Sequence, residues 1–363
     1  MGDRGGAARP RPRAAADRGA GPVTPQEQSA LLLRVSTGSW LIHALNAVAR
    51  LGVPDVLDDE PRPVEEFAAK LGADADALGR TLGALAGLDF FTEGPRGHFA
   101  LNEAARLLRT DAPGPLRAFL SIGVERVLPL FRELEHTLRT GKPAAEKIYG
   151  MPYFAYLDSH PDDDREFTRS LGRSAAAFFD TALDRMALDG AEHLVDLGGG
   201  DGTLVELALR KHPRLTATLL DRPRILGAAR ERMRAAGLTD RCDLVGGSFF
   251  AEVPTGGDVY CVARCLHNWD DDTVRTLLRT VRCAVAPDAR LLLLEDVVPE
   301  GPAAATDDYS DLVMMLIGGR ERTLAEYASL LGDARFALTG AQHVGTVAAP
   351  RLHLVEAAPF TQE

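Results

Sequence analysis

The sequence predicts an α/β protein in which a helical N-terminal half precedes a doubly wound parallel sheet that ends in a C-terminal β-hairpin. The first observation is that apolar runs typical of buried strands alternate with helical patterns from residue 193 onward, with strands expected near 193–197, 215–220, 242–246, 258–264 and 290–295. The second is that two further strands, near 335–346 and 351–357, leave no room for a helix between them. The last pair therefore indicates a hairpin at the edge of the sheet.

Bulk composition is that of an ordinary globular protein. The chain has 363 residues, enough for two domains, with 45% hydrophobic and 26% charged residues. No run approaches the length of a membrane helix and the N-terminus lacks the apolar core of a secretory signal, so we expect a cytoplasmic protein with no membrane partner. The net charge of −11 argues against a nucleic-acid partner, which would require a basic face.

The N-terminal region divides into a tail and a long helix. Residues 1–23 carry no periodic apolar pattern, so we expect a disordered tail. Residues 24–27 read Thr-Pro-Gln-Glu, a capping box with proline at the first helical position. Apolar residues are then denser from Leu31 to Leu51 than one face of an isolated surface helix needs, which predicts contact with another subunit.

The remainder of the first domain, 24–111, has the pattern of a winged helix. Helices are expected at 64–71 and 74–88, and a hairpin is expected around 90–101. A winged helix raises the hypothesis of a DNA-binding regulator, which needs basic residues on its second helix. That helix offers only Arg80, and acidic residues outnumber basic ones between Val56 and Leu101, so we interpret the unit as a dimerisation module.

Residues 112–190 are expected to be a helical connector that lines the substrate site, with breaks near Pro143 and Pro152. Aromatic residues and methionine recur in this segment. Such residues at helical spacing are usually core, but we expect two or three of them to line a pocket. The members are Phe119, Phe131, Met151, Tyr153, Phe154, Phe167, Phe178 and Phe179.

A glycine-rich turn follows the first strand of the sheet. Asp196 lies in that strand, and Gly198 and Gly200 lie in the turn that opens the next helix, an arrangement that directs backbone N–H groups at a ligand. The next strand ends at Asp221, whose carboxylate is spaced to accept ribose hydroxyls. Thr203 stands where a dinucleotide-binding loop has its third glycine. The pattern favours a nucleoside-containing ligand, and the alternative is an ordinary tight turn.

Three side chains capable of acid–base chemistry follow neighbouring strands. His267 follows the fourth strand, Glu295 ends the fifth, and Glu321 precedes a later helix. An imidazole held in one tautomer by a carboxylate is the arrangement that a general base needs. The alternative is structural: His267 caps the following helix, and the two glutamates pair with Arg320 and Arg322.

The cysteines do not indicate a metal site. Cys261 and Cys265 are expected on one face of a strand, and His267 is the one clear nitrogen ligand nearby. We therefore interpret the cysteines as reduced structural thiols and expect no metal.

Several of these motifs occur together in one family. The Asp-x-Gly-Gly-Gly-x-Gly loop, His-x-Trp-x-Asp after the fourth strand, Glu295, and Gly-Arg-Glu-Arg-Thr around Glu321 resemble S-adenosylmethionine-dependent O-methyltransferases of the caffeate and natural-product tailoring type. The resemblance covers roughly residues 25–357. It implies a Rossmann-like methyltransferase sheet over 191–363, a winged-helix dimerisation domain and a homodimer. It also implies an enzyme that methylates a hydroxylated aromatic small molecule in secondary metabolism, such as one of polyketide type.

The resemblance also implies roles for individual residues. His267 would be the base, flanked by Glu295 and Glu321. The S-adenosylmethionine site would be formed by Asp196, Gly198, Gly200, Asp221, Gly247, Ser248, Phe249, Arg264 and Trp269. The family usually has aspartate at Ser248, which implies a weaker adenine contact here, and often has aspartate at Asn268. Some members of the family use the bound cofactor without methylating, so a hydroxylase, decarboxylase or rearrangement catalyst is the alternative, and a winged-helix regulator is a third hypothesis.

Overall fold

The computed structural model describes residues 24–112, 116–301, 309–346 and 349–360, so the expected disordered tail at 1–23 lies outside the described residues. The N-terminal helices are α1 Pro25–Leu51, α2 Val53–Val56, α3 Val64–Leu71, α4 Ala75–Ala86 and α5 Glu103–Arg106. The connector contains α6 Leu116–Ile122, a π-helical turn Gly123–Val127, α7 Leu128–Phe131, α8 Leu134–Thr140, α9 Ala144–Tyr149, α10 Tyr153–Ser159 and α11 Pro161–Leu183. The C-terminal helices are α12 Thr203–Lys211, α13 Leu226–Ala236, α14 Asp271–Ala284, α15 Ser310–Ile317 and α16 Leu324–Asp333, with 3₁₀ turns at Thr239–Arg241 and Leu266–Asn268.

The strands form two sheets. The small N-terminal sheet consists of β1 Arg62–Pro63, β2 Thr92–Glu93 and β3 His98–Ala100, in the order β1-β3-β2. The large sheet consists of β4 His193–Leu197, β5 Thr216–Asp221, β6 Cys242–Gly246, β7 Val259–Ala263, β8 Arg290–Asp296, β9 Phe336–His343 and β10 Leu352–Pro359. Its order is β6-β5-β4-β7-β8-β10-β9.

The first domain begins with a well-capped helix. The Thr24 hydroxyl accepts a hydrogen bond from the Glu27 N–H at 3.3 Å, and the Glu27 carboxylate accepts one from the Thr24 N–H at 2.9 Å, which completes the predicted capping box. Helices α3 and α4 are followed by the antiparallel pair β2–β3, the element order of a winged helix. Large apolar side chains of α1 nevertheless remain between 59% and 72% exposed, namely Leu31, Leu32, Leu33, Val35 and Trp40.

The connector breaks where the prolines predict it. Pro143 and Pro152 occupy the N-cap positions of α9 and α10. Its aromatic residues divide between core and surface: Phe178 and Phe179 are buried, whereas Phe119 is 66% exposed. Sequence spacing alone does not separate these two groups.

The large sheet is doubly wound, as predicted. Strands β4 to β8 are parallel, and β10 runs antiparallel to both β8 and β9, which gives the predicted hairpin. Strands β5 and β6 extend the sheet on one side of β4, and β7 and β8 extend it on the opposite side. The strand order therefore reverses between β4 and β7. Ligands of such sheets bind at the carboxyl ends of the strands beside this reversal. The glycine turn and His267 both lie there.

The expected placement of the two central cysteines on one face was wrong. Cys261 packs with Leu292 and Leu294 on the face covered by α11, α12 and α13, whereas Cys265 packs with the layer that contains α14 and α16. Strand alternation fails between them because β7 ends at Ala263 and Arg264 adopts a left-handed conformation with φ of 52°.

Candidate active site

The turn after β4 brings the backbone of Gly198 and Gly199 so close to its surroundings that neither position has space for a side chain. A Cβ at Gly199 would lie 2.6 Å from both Asp196 Oδ2 and Leu219 Cγ. Gly198 has φ of 77°, and a Cβ there would lie 3.1 Å from Cys265 Sγ and 3.4 Å from Phe249 Cε1. The turn is therefore a bare backbone cradle between the ends of β4, β5 and β7.

Asp196 is a buried carboxyl beneath this cradle. Its side chain is 1% exposed and its Oδ2 has no hydrogen-bond partner among the described residues. Burial, together with the nearby charge of Asp221, raises the pKa of Asp196 to about 7. A substantial fraction of this carboxyl is therefore protonated at neutral pH.

Asp221 ends β5 beside the cradle, at the position predicted for a ribose ligand. Its Oδ2 accepts a hydrogen bond from the Gly200 N–H at 2.8 Å, and its Oδ1 accepts one from the Arg222 N–H at 2.7 Å. Burial raises the pKa of Asp221 despite these two bonds, which act in the opposite direction. A carboxylate can accept about four hydrogen bonds, so acceptor capacity remains for a ligand hydroxyl.

The segment after β6 lies next to Asp221. The Gly247 N–H donates to the Asp221 carbonyl at 3.0 Å, and the Ser248 hydroxyl accepts from the Phe250 N–H at 3.3 Å. The Phe249 ring reaches Gly198, as the 3.4 Å distance above indicates. These contacts bring Gly247, Ser248 and Phe249 to the edge of the cradle.

Trp269 belongs to an aromatic stack that joins this region to the connector. Its ring lies 4.9 Å from the ring of Phe154 in α10, with an interplanar angle of 29°. On its other side Trp269 meets Phe250 edge-on, at 5.1 Å between centroids, and Phe250 in turn contacts Phe249. The stack thus forms one wall between the cradle and the helices of the connector.

His267 lies on the 3₁₀ turn after β7, with 4% of its surface exposed. Its Nδ1 is 3.0 Å from Glu321 Oε1. The helix that follows is capped by Asp270, whose side chain accepts a hydrogen bond from the Thr273 N–H at 2.7 Å. The structural alternative in which His267 caps that helix was therefore wrong.

The two glutamates contact different parts of this turn. Glu295 Oε1 accepts hydrogen bonds from the N–H groups of Cys265 and Leu266, both at 2.7 Å, and its Oε2 lies 3.9 Å from His267 Nδ1. Glu321 contacts the ring directly. Burial raises the pKa of Glu295. Burial also acts to raise the pKa of Glu321, but the charge and hydrogen bond of His267 outweigh it, so this pKa is lowered.

The arginines expected by the structural alternative bind elsewhere. Arg320 pairs with Glu326 at 2.6 Å and Arg322 pairs with Asp271 at 2.9 Å. Neither has an ion pair with Glu295 or Glu321, both of which face the histidine. This second part of the alternative was also wrong.

Arg264, which the resemblance assigns to the cofactor site, is held by a buried carboxylate. Its guanidinium forms an ion pair with Asp296, the last residue of β8. Burial acts to lower the pKa of Arg264, but the negative charges of Asp296 and the two glutamates of the site have the larger effect. The pKa of Arg264 is therefore raised, and the guanidinium stays charged. Arg264 thus supplies a fixed positive charge at the same sheet edge.

Arg222 is a site residue that the sequence reasoning missed. Its guanidinium binds Asp158 in α10 at 2.7 Å and the buried Asp164 in α11 at 2.9 Å. It also lies 5.8 Å from the centroid of the Phe154 ring. Arg222 therefore connects the strand end that carries Asp221 to the helices above it. Its position directly after the predicted ribose acid was the one available signal.

Neither metal ligation nor membrane insertion finds support in the described residues. Among them, no group of three or more His, Cys, Asp or Glu side chains is arranged to hold a metal ion. Within those same parts of the chain, no helix is both long and apolar enough to cross a membrane.

Comparison with known proteins identifies both halves of the chain. Residues 131–337 match an O-methyltransferase domain and residues 33–111 match an O-methyltransferase dimerisation domain. The chain is 37% identical to phenazine O-methyltransferase PhzM of Lysobacter antibioticus over 85% of this chain and 91% of the relative. It is 35% identical to O-demethylpuromycin-O-methyltransferase of Streptomyces alboniger over 93% of each.

A solved structure extends the match to a ligand-bound relative. The O-methyltransferase NcsB1 from neocarzinostatin biosynthesis, crystallised with S-adenosylmethionine and 2-hydroxy-5-methyl naphthoic acid, superposes with a TM-score of 0.75 at 31% identity, covering 88% of this chain and 96% of that one. The chain belongs to the family of S-adenosylmethionine-dependent O-methyltransferases with a dimerisation domain. The bare cradle, the acid at the end of β5 and the unpaired Asp196 oxygen beneath the turn fit that cofactor.

Proposed function

We propose that this protein transfers a methyl group to a hydroxyl of an aromatic small molecule in antibiotic or related natural-product biosynthesis, with His267 as general base. One observation carries the proposal. His267 Nδ1 lies 3.0 Å from the buried carboxylate of Glu321, beside a glycine cradle at the reversal of the sheet. With Nδ1 donating to Glu321, Nε2 is the ring nitrogen available to accept a proton.

The residues around the cradle would hold the cofactor. Gly198 and Gly200 present backbone, Asp221 offers acceptors for the ribose hydroxyls, and Gly247, Ser248 and Phe249 border the adenine side. Arg264 would lie beside the carboxylate of the cofactor, Trp269 would border the cofactor with its aromatic stack, and Asp196 lies buried beneath the turn. S-adenosylmethionine supplies, when bound, an electrophilic methyl group on a positively charged sulfur.

Proton transfer by His267 follows from the acidity of phenols. A phenol with a pKa near 10 is about 3.5 pH units less acidic than an ordinary imidazolium, so its complete ionisation beforehand would cost about 5 kcal/mol. Proton removal by His267 therefore accompanies reaction of the hydroxyl rather than preceding it. Glu321 stabilises the imidazolium that forms, because its carboxylate is ionised and 3.0 Å away.

We also propose that the protein is a homodimer formed through α1. The exposed apolar side chains of α1 form an apolar surface on the unit that matches the family's dimerisation domain. A self-complementary contact between two copies would bury that surface.

The test combines an assay of the reaction with one substitution. Polycyclic phenols are incubated with the protein and S-adenosylmethionine, and mass spectrometry follows methylated product and S-adenosylhomocysteine. His267→Ala should lose most turnover and keep cofactor affinity, measured by calorimetry. His343→Ala, an exposed histidine of β9, is the control and should behave as wild type.

Two outcomes would count against the proposal. Unchanged turnover in His267→Ala would remove the general-base assignment. Tight cofactor binding and consumption of a phenol without methyl transfer would instead favour a non-methylating member of the fold.

A further inference from the structure

We propose that Arg322 is a positioning residue for the reaction: its guanidinium clamps the turn that carries His267. The inference rests on the proposed role of His267 as base. Arg322 is 0% exposed and is the largest of the fully buried side chains. A buried guanidinium is costly unless each of its donors is satisfied, so its hydrogen bonds indicate what it stabilises.

Two of those hydrogen bonds go to backbone on the two sides of the histidine, and a third joins Nη1 to the Arg320 carbonyl at 3.3 Å. Arg322 Nη1 donates to the Leu266 carbonyl at 3.2 Å, and Nη2 donates to the Trp269 carbonyl at 2.7 Å. Leu266 precedes His267 and Trp269 follows it by two residues. The planar fork of one guanidinium therefore spans the whole turn, a geometry that a lysine ammonium does not reproduce.

The turn requires such partners because it is short. Leu266–Asn268 forms a single 3₁₀ turn, in which the Leu266 carbonyl accepts the Trp269 N–H at 3.2 Å and keeps a second acceptor site. Its N–H side is held by Glu295, which accepts from the Leu266 N–H at 2.7 Å. Arg322 supplies the complementary donors on the carbonyl side. Glu295 and Arg322 thus fix the turn from opposite ends.

Arg322 is itself held rigidly. Its Nε donates to Asp271 Oδ1 at 2.9 Å, and its carbonyl accepts from the Val298 N–H at 2.8 Å, which ties it to the end of β8. It also follows Glu321 directly in the chain. One short segment therefore supplies both the carboxylate at Nδ1 and the clamp on the turn, which couples the ring position to the backbone position.

Loss of the clamp should displace Nε2 without removing the base. A misplacement of about 1 Å costs up to about 100-fold in rate. We expect Arg322→Lys, which keeps the charge and loses the fork, to lower kcat by about 10- to 100-fold. The cofactor Kd from calorimetry should change by less than kcat does, because Arg322 binds the Trp269 carbonyl, whereas the Trp269 ring is held by Phe154 and Phe250.

Arg320→Lys is the matched control. Arg320 lies two residues away, and its side chain pairs with Glu326 and approaches Asp271, so the same substitution there should leave kcat near wild type. The melting temperature is measured for both variants. If Arg322→Lys is unfolded, Asp271→Asn tests the same clamp, since it removes the negative charge that holds Nε while leaving both carbonyl bonds, and a smaller fall in kcat is expected.

A double substitution separates positioning from general stabilisation. In a His267→Ala background, Arg322→Lys should lower turnover by less than about twofold, since there is no base left to position. Losses that simply multiply, or wild-type kcat in folded Arg322→Lys or in Asp271→Asn, would overturn the clamp. Wild-type turnover in His267→Ala alone would instead refute the proposed base.

Discussion

Replacement of Asp196 by asparagine should stabilise the protein, and the gain should grow with pH. Asparagine has nearly the same shape as aspartate and carries no ionisable group. The folded protein holds the pKa of Asp196 at about 7, raised from its ordinary value of 3.8 by burial. Between these two values the folded state binds a proton that the unfolded state has released, so the stability of the wild type falls as pH rises.

The size of the effect follows from the raised pKa. Well below the raised pKa each pH unit removes about 1.4 kcal/mol from the wild type, and at pH 7 this slope has fallen by half, so the loss between pH 5 and 7 is about 2.3 kcal/mol. Above about pH 8 both states are ionised and the difference becomes constant. Asparagine lacks this loss, so the variant should gain about 2.5 kcal/mol relative to wild type between pH 5 and 8. For a domain of this size that corresponds to about 5 to 10 °C in melting temperature.

Thermal unfolding without cofactor, at half-unit steps from pH 5 to 8.5, measures this directly. Asp243→Asn is the control, because Asp243 lies on β6 of the same sheet and is exposed. Its difference from wild type should not change over this range. If the melting-temperature difference of Asp196→Asn is the same at pH 5 and at pH 8, Asp196 is already ionised in the folded protein and the argument from burial fails.

Two further predictions concern the cradle and the dimer. Gly199→Ala should weaken cofactor binding in calorimetry and destabilise the fold by about 1–3 kcal/mol, because its Cβ would lie 2.6 Å from Leu219 Cγ; unaltered affinity and melting temperature would contradict the tight packing of the turn. Trp40→Ser should shift the protein from dimer to monomer in analytical ultracentrifugation, whereas Leu138→Ser, at a 70% exposed position of α8, should not. A dimer unaffected by Trp40→Ser would place the interface elsewhere.

The sheet was predictable because its signals are local. Buried parallel strands are short apolar runs, and the glycine turn after β4 fixes the first of them in register. The end of β5 at Asp221 followed from the same patterns, and β8 was predicted to end at Glu295, one residue before its observed end at Asp296. The placement of Cys265 failed for a related reason, since a left-handed Arg264 leaves no mark in hydrophobic periodicity.

The candidate site was only partly predictable. The spacing brought His267, Glu295 and Glu321 to one sheet edge, but it did not say which acid reaches the ring. The choice of acid depends on the conformation of the loops that follow the strands. In the structure Glu321 lies 3.0 Å from His267 Nδ1 and Glu295 lies 3.9 Å from the same atom. Arg322 and Arg222 were missed as site residues because their partners lie about 50 to 65 residues away in the chain.

The positions of these two arginines imply that the two halves of the proposed reaction are held separately. Arg222 secures the strand end that would bind the cofactor ribose, through Asp158 and Asp164 of the connector helices. Arg322 secures the base through backbone carbonyls and Asp271, all within the C-terminal domain. The two networks share no hydrogen-bonded residue and meet in the stack of Phe154 on Trp269, so weakening one should displace the other little. Substitutions at Arg222 should therefore act on cofactor affinity, and substitutions at Arg322 on turnover.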